Sequence, residues 1–142
     1  MSITHFRELN VWQEAMRLAR SVYKLTENFP RDERFGLSAQ IQRAAVSIPS
    51  NIAEGNARHS RRDYARFVSM ASGSAAELQT QLLLAKDLEL ANAQSVEDCL
   101  AICEQVSKML YRLQQALLAG GENQSQVPGP RSRISEDAED YF

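Results

Sequence analysis

Cysteine is nearly absent from this 142-residue chain, which has only Cys99 and Cys103. A spacing of four sets the two on one side of a helix, where a disulfide would strain the backbone and two ligands fall short of a metal set. They read as small buried apolar residues. Histidine is as sparse, and His5 and His59 stand in no HExxH or ExxH spacing, so neither a zinc protease nor a di-iron bundle is indicated. GxGxxG, the P-loop motif and GxSxG are also missing, so no cofactor is called for and the chain reads as non-enzymatic. Long apolar runs are missing too. The longest uncharged stretches, Ala44–Ala53 and Phe67–Ala76, hold ten residues each and contain Ser, Asn or Gly. A bilayer span needs about 20 mostly apolar residues. No basic segment followed by an apolar one opens the chain, so no secretory signal is read and a cytoplasmic location without membrane contact is expected.

What is present suits one domain. Hydrophobic residues make up 44% of the chain, enough for one sizeable core, and the net charge of -2 gives no global positive field. The charge is uneven, however. Residues 1–72 hold 11 basic and 7 acidic side chains, a balance of +4, and residues 73–142 hold 5 and 11, a balance of -6. Any phosphate-binding surface therefore belongs to the first half.

Hydrophobic periodicity near 3.6 predicts four helices and no convincing strand. The first, Glu8 to Glu27, carries Leu9, Trp12, Ala15, Met16, Ala19, Val22 and Tyr23 as its core stripe, and Phe29-Pro30 ends it. The second, Arg34 to Glu54, buries Leu37, Ile41, Ala44, Ala45, Ile48 and Ile52. Pro49 lies within it and predicts a kink, with Gly55 as the stop. Ser60 and Asp63 form a capping pair that opens a third helix through Tyr64, Phe67, Val68, Ala71, Ala75, Leu78, Leu82 and Ala85 to about Leu90, near 45 Å long. Ser95 and Asp98 repeat the signal for a fourth, with Leu100, Cys103, Val106, Leu110, Leu113 and Leu117 inward and Gly120-Gly121 closing it. Short connections make consecutive helices antiparallel, so the expected fold is all-α, an up-down-up-down four-helix bundle over residues 1–120. Residues 121–142, with two prolines and the acidic run Glu136 to Asp140, read as a disordered polar tail, and the Asn123-Gln-Ser125 sequon there as accidental.

Two polar patterns stand outside the core stripes. Arg58, Arg61, Arg62 and Arg66 cluster where the second helix passes into the third, beside free amide donors of a helix start. Arg17, Arg20 and Lys24 form a smaller row on the first helix. These seven are the candidate nucleic-acid contacts, against the alternative of solvation with intrahelical pairs such as Glu14 with Arg17. Arg43, Ser47, Asn51 and Glu54 on the second helix and Ser74 and Glu77 on the third form a seam of mostly short polar groups suited to close helix approach or a subunit contact. Tyr64 and Phe67 are expected to pack inside rather than stack on bases.

The order of residues in Phe6-Arg-Glu-Leu-Asn-Val-Trp-Gln-Glu-Ala15, Phe29-Pro-Arg-Asp-Glu33, Gln40-Ile-Gln-Arg-Ala-Ala-Val-Ser-Ile-Pro-Ser-Asn-Ile-Ala-Glu-Gly55, Arg58-His-Ser60 and Ala71-Ser-Gly-Ser74 with Glu77-Leu78 resembles the bacterial four-helix bundle proteins encoded in intervening sequences of 23S ribosomal RNA genes. The resemblance spans about residues 5–118, and the segment from Ser47 to Gly55 is its most specific part. Gln42 stands before Arg43 where many members have two basic residues in succession, which lowers the second helix's share of any phosphate contact. The resemblance implies a homo-oligomer, a pentameric barrel, without enzymatic activity. Through the related accessory protein of diversity-generating retroelements it also implies contact with RNA or DNA and with a reverse transcriptase-like protein. Two functions remain open at this point: a nucleic-acid-binding accessory factor and a structural or protein-binding scaffold.

Overall fold

The computed structural model describes residues 5–120, and the polar tail and the Asn123 sequon lie outside them. Four α-helices follow in order: α1 (Asn10–Thr26), α2 (Leu37–Asn56), α3 (Arg61–Asp87) and α4 (Ala93–Ala119), with single 3-10 turns at Phe6–Glu8 and Arg31–Glu33. No strand occurs among the described residues. α1 packs on α2 and α4, and α3 packs on the same two, which is the ring of neighbours of an up-down-up-down bundle. α3 and α4 have 27 residues each, about 40 Å at 1.5 Å per residue, so the long third helix has a partner of equal length. The two form a long antiparallel pair, so the start of α3 lies beside the end of α4.

The core is as the apolar stripes of α2 and α3 prescribe. Every residue named for those two helices is buried, and Tyr64 and Phe67 are 1% and 5% exposed. On α4 only Leu100 of the named set is half-buried. α1 is rotated from the expected phase. Val11, Leu18 and Leu25 join Ala15, Ala19 and Val22 inside, whereas Trp12 and Met16 are half-buried and Tyr23 is exposed. Apolar residues cover well over half of this helix's circumference, so period alone left two faces in competition.

The helix ends follow local hydrogen bonding. Ser60 Oγ accepts from the Asp63 amide at 3.1 Å, as the sequence predicts. α4, by contrast, starts at Ala93 because Asn92 Oδ1 accepts from the amides of Gln94 and Ser95 at 2.9 and 3.2 Å, which places Ser95 inside the first turn. α3 closes with the amide of Leu90 on the Ala85 carbonyl and that of Glu89 on the Lys86 carbonyl, and Glu89 takes φ 55° to make this turn. An ion pair between Lys86 and Glu97 spans the same junction.

α2 runs through Pro49 without interruption. The proline has no amide hydrogen for the Ala45 carbonyl, and three nearby side chains donate to neighbouring carbonyls of the same helix. Ser47 Oγ reaches Ala44 O and Ser50 Oγ reaches Val46 O, both at 2.9 Å, and Asn51 Nδ2 reaches Ser47 O at 2.8 Å. Two donors of the expected seam are thus spent on the helix's own backbone. Gly55 was read as a stop signal, but α2 continues to Asn56. A Cβ on Gly55 would lie 2.8 Å from Phe67 Cβ and 3.2 Å from the Tyr64 carbonyl oxygen, so the residue permits α2 to touch the first turns of α3. Asn56, buried next to it, donates weakly to the Tyr64 hydroxyl at 3.5 Å.

Candidate nucleic-acid interface

The α2–α3 turn sets Arg58 just before the cap Ser60, and α3 carries Arg62 and Arg66 one turn apart. Four-residue spacing leaves Arg62 and Arg66 on one face. Arg61, a step of about 100° away, falls on the buried stripe and is only 7% exposed. Its guanidinium lies against Gly120, where an added Cβ would meet Nη1 at 1.5 Å. That is the C-terminal end of α4, where carbonyls of the last turn carry partial negative charge. The sequence grouped four arginines on the surface; the fold turns one of them inward as a tie between two helix ends.

The other three line an open groove of about 730 Å³ together with Asp63, Ser69, Met70, Gln114 and Leu118. Arg58 Nη2 pairs with Glu54 at 3.2 Å, and its Nε stands 3.9 Å from Asp63. Arg66 Nη2 pairs with Asp63 at 3.0 Å. Both guanidinium carbons sit 4.6 Å from the centre of the Phe67 ring, so Phe67 acts as a cation-π support from below and not as a stacking surface for bases. The Arg58–Glu54 and Arg66–Asp63 pairs join partly exposed side chains, and such pairs are worth about 0–1 kcal/mol, so either arginine can exchange its carboxylate for another anion at small cost. Asp63 is the one carboxylate in the lining, against three arginines.

The basic row on α1 does not join this group. Helix α1 lies across the bundle from α3, and Arg17 is held by Glu14 through bonds of 2.9 and 3.1 Å. The same hydrogen bond holds the Glu14 carboxyl below its ordinary range. Arg20 and Lys24 are exposed on that far side.

The polar seam is gathered in part. Arg43, Ser47, Ser74 and Glu77 line a second cleft of about 410 Å³ between α2 and α3, with Gln40 and Gln81. Neither Asn51 nor Glu54 lines it, Asn51 because it bonds its own helix and Glu54 because it turns out to Arg58. Gln81 is buried in the cleft wall, and its Oε1 has no hydrogen-bond partner. Among the groove residues that the sequence does not single out as contacts are Ser69 and Met70 on α3 and Gln114 and Leu118 on α4. The signal for the α4 pair was the topology: an antiparallel neighbour brings the last turns of α4 beside the first turns of α3.

The sequence profile of the 23S rRNA-intervening sequence protein family matches residues 7–112. The chain belongs to this family. A crystal structure of a protein of unknown function from the S23 ribosomal protein family of Bacteroides thetaiotaomicron is similar to it, with a TM-score of 0.67 and 25% identity. That match covers 74% of this chain and 98% of the other. No curated protein matches the chain. Membership agrees with the motif from Ser47 to Gly55, whose residues now have physical places: Ser47, Ser50 and Asn51 bond carbonyls of their own helix around Pro49, and Gly55 admits the contact with α3. Among the described residues no helix is long and apolar enough to cross a membrane.

Proposed function

We propose that this family member is a non-enzymatic accessory factor that binds nucleic acid through Arg58, Arg62 and Arg66, and that it acts as a homo-oligomer, a pentamer by the family resemblance. The carrying observation is the convergence of three arginines on one open groove at the start of α3, whose lining holds one carboxylate, Asp63, while Glu54 pairs with Arg58 from outside it. Multiplied around a ring, three modest phosphate contacts per subunit add through effective concentration. The exposed Leu83, Leu84 and Leu88 near the end of α3 support an assembly in which that end is covered by another subunit.

The test is fluorescence anisotropy of a labelled single-stranded RNA over a salt series, beside light scattering. With about three phosphates neutralised per subunit, the single-strand slope gives an affinity drop of roughly 20-fold per engaged subunit between 50 and 200 mM salt. Arg62→Glu with Arg66→Glu is expected to abolish binding while the mass by light scattering stays unchanged. No binding at 50 mM salt overturns the nucleic-acid reading, and a monomer mass at micromolar concentration overturns the assembly.

A scaffold reading has its own support in the second cleft. Arg43 and Glu77 line it from opposite helices without a mutual ion pair, and the Gln81 oxygen beside them is unsatisfied. Such groups suit a protein contact. Under this reading Arg43→Ala with Glu77→Ala dissociates the oligomer, and the double arginine reversal changes nothing.

A further inference from the structure

The groove at the start of α3 is not uniformly basic. Met70 and Leu118, on α3 and α4, line it while remaining 47% and 53% exposed. Phosphate recognition alone leaves these two apolar side chains without purpose, because a duplex presents its backbone and hides its bases. Two polar atoms in the lining residues are buried and make no hydrogen bond: Gln114 Oε1, an acceptor, and Arg58 Nε, a donor that meets Asp63 Oδ2 only at the ion-pair distance of 3.9 Å. Arg58 belongs to the basic part of the lining, and Gln114 is one helical turn before Leu118 on the other helix.

A single ligand class answers these features together. It must bring an acceptor with negative charge to Arg58, a flat apolar surface to Met70 and Leu118, and an N–H donor to Gln114. A nucleotide has this composition: phosphate oxygens at one end, a base face, and exocyclic amino or ring N–H groups on the base edge. The Gln114 amide gives up no hydrogen bond from its oxygen if it rotates about its last torsion, so it can turn that oxygen to a base edge. The groove of about 730 Å³ lies within the roughly 300–1,000 Å³ usual for small-molecule sites, room enough for an unpaired nucleotide.

We infer that the groove binds single-stranded nucleic acid with an unpaired base seated on Met70 and Leu118 and its edge met by Gln114, while Arg58, Arg62 and Arg66 hold the adjoining phosphates. This rests on the nucleic-acid reading above and adds to it the strand state and the base contact. Arginines alone would not distinguish a base-bearing strand from a bare sugar-phosphate chain. This groove does.

The experiment compares three probes against the full chain at 50 mM salt: a labelled 12-nucleotide single-stranded DNA, the same length of abasic strand, and the corresponding duplex. The base-bearing strand is expected to bind about 10-fold or more tightly than either of the others. Met70→Ser with Leu118→Ser, both at exposed positions, is expected to erase that margin without changing the affinity for the abasic strand, and Gln114→Leu to reduce it. Equal binding of base-bearing and abasic strands, still salt-sensitive and lost in Arg62→Glu with Arg66→Glu, overturns the base contact and leaves the phosphate reading intact. A margin that survives both the serine pair and Gln114→Leu overturns the assignment to this groove. Failure of all three probes to bind overturns both readings.

Discussion

Two glycines in helices of this bundle are expected to respond to alanine in opposite directions, and the contrast tests the packing of α2 on α3. Alanine in place of glycine within a helix gains up to about 1 kcal/mol from backbone entropy. At Gly73, on the exposed face of α3, an added Cβ meets nothing within 4 Å, so the gain is realised in full. At Gly55 the new Cβ would lie 2.8 Å from Phe67 Cβ, 3.0 Å from Tyr64 Cδ1 and 3.2 Å from the Tyr64 carbonyl oxygen. Carbon contacts settle near 3.5–4.0 Å, so the helices must separate by roughly 1 Å. A backbone oxygen and a Cβ cannot turn aside as a side-chain tip can. Overpacking of this kind costs about 1–3 kcal/mol, and its upper range applies where backbone must move, leaving Gly55→Ala destabilised by about 1–2 kcal/mol after the helix gain. For a domain of this size that is a melting shift of roughly -4 to -8 °C, against about +2 to +4 °C for Gly73→Ala. Thermal denaturation by circular dichroism reads both. A Gly55→Ala protein as stable as the parent would refute the close approach of α2 to the start of α3, and with it the floor of the arginine groove.

Two further predictions concern single residues. Glu89 holds φ 55°, a conformation that strains a side chain and suits glycine, so Glu89→Gly is expected to raise stability by about 0.5–1 kcal/mol, read in urea denaturation as a higher midpoint at unchanged slope. Burial pushes the Cys103 thiol up to about 11, with the nearby Cys99 adding to the rise, and its Sγ donates to the Ala75 carbonyl at 3.4 Å. Both cysteines should therefore resist Ellman's reagent at pH 8 until the protein unfolds, and reaction at the rate of a free thiol would count against their burial. The thiol stays neutral in the fold after the unfolded chain has begun to ionise near 9.0, so its contribution to stability is full below pH 9 and fades as pH rises towards 11.

The fold was legible because α2, α3 and α4 each carry one dominant apolar stripe, and Ser60 with Asp63 gives the start of α3 unambiguously. α1 lies a fraction of a turn out of the expected phase, since Trp12, Met16 and Tyr23 compete with Val11, Leu18 and Leu25 for the interior. The start of α4 is displaced from the Ser95–Asp98 pair because Asn92, three residues before Ser95, caps the helix one turn earlier by accepting from the amides of Gln94 and Ser95. The site divides along the same line. Arg62 and Arg66 were visible as charge on one face, and Arg43, Ser47, Ser74 and Glu77 as a seam. Asn51 left the seam through a bond to its own helix, which spacing does not encode. Met70 and Leu118 could not be told from core residues by composition, because only the turn of each helix against its neighbour decides which apolar side chain faces out.

Arg61 is the instructive case, since it follows the buried series of Tyr64, Ala65, Val68, Ala71 and Ala75 at helical steps and was nevertheless read with its charged neighbours. Charge reversal separates the two roles. A glutamate at position 61 would put a carboxylate, 7% exposed in the parent's geometry, against the negative end of α4 and remove the guanidinium seated there. Breaking a buried charged contact in this way costs about 3–5 kcal/mol. A glutamate at position 62, on the exposed face, changes stability by no more than about 0.5 kcal/mol. Arg61→Glu is thus expected to lower the melting temperature by 10 °C or more, and to lose nucleic-acid binding only as far as it unfolds, whereas Arg62→Glu melts like the parent and binds weakly. Arg61→Lys, which keeps the charge but not the planar fork, should fall between them in stability and bind as the parent does. If Arg61→Glu melts with the parent, the guanidinium is not the tie between the start of α3 and the end of α4, and the fourth arginine returns to the surface with the other three.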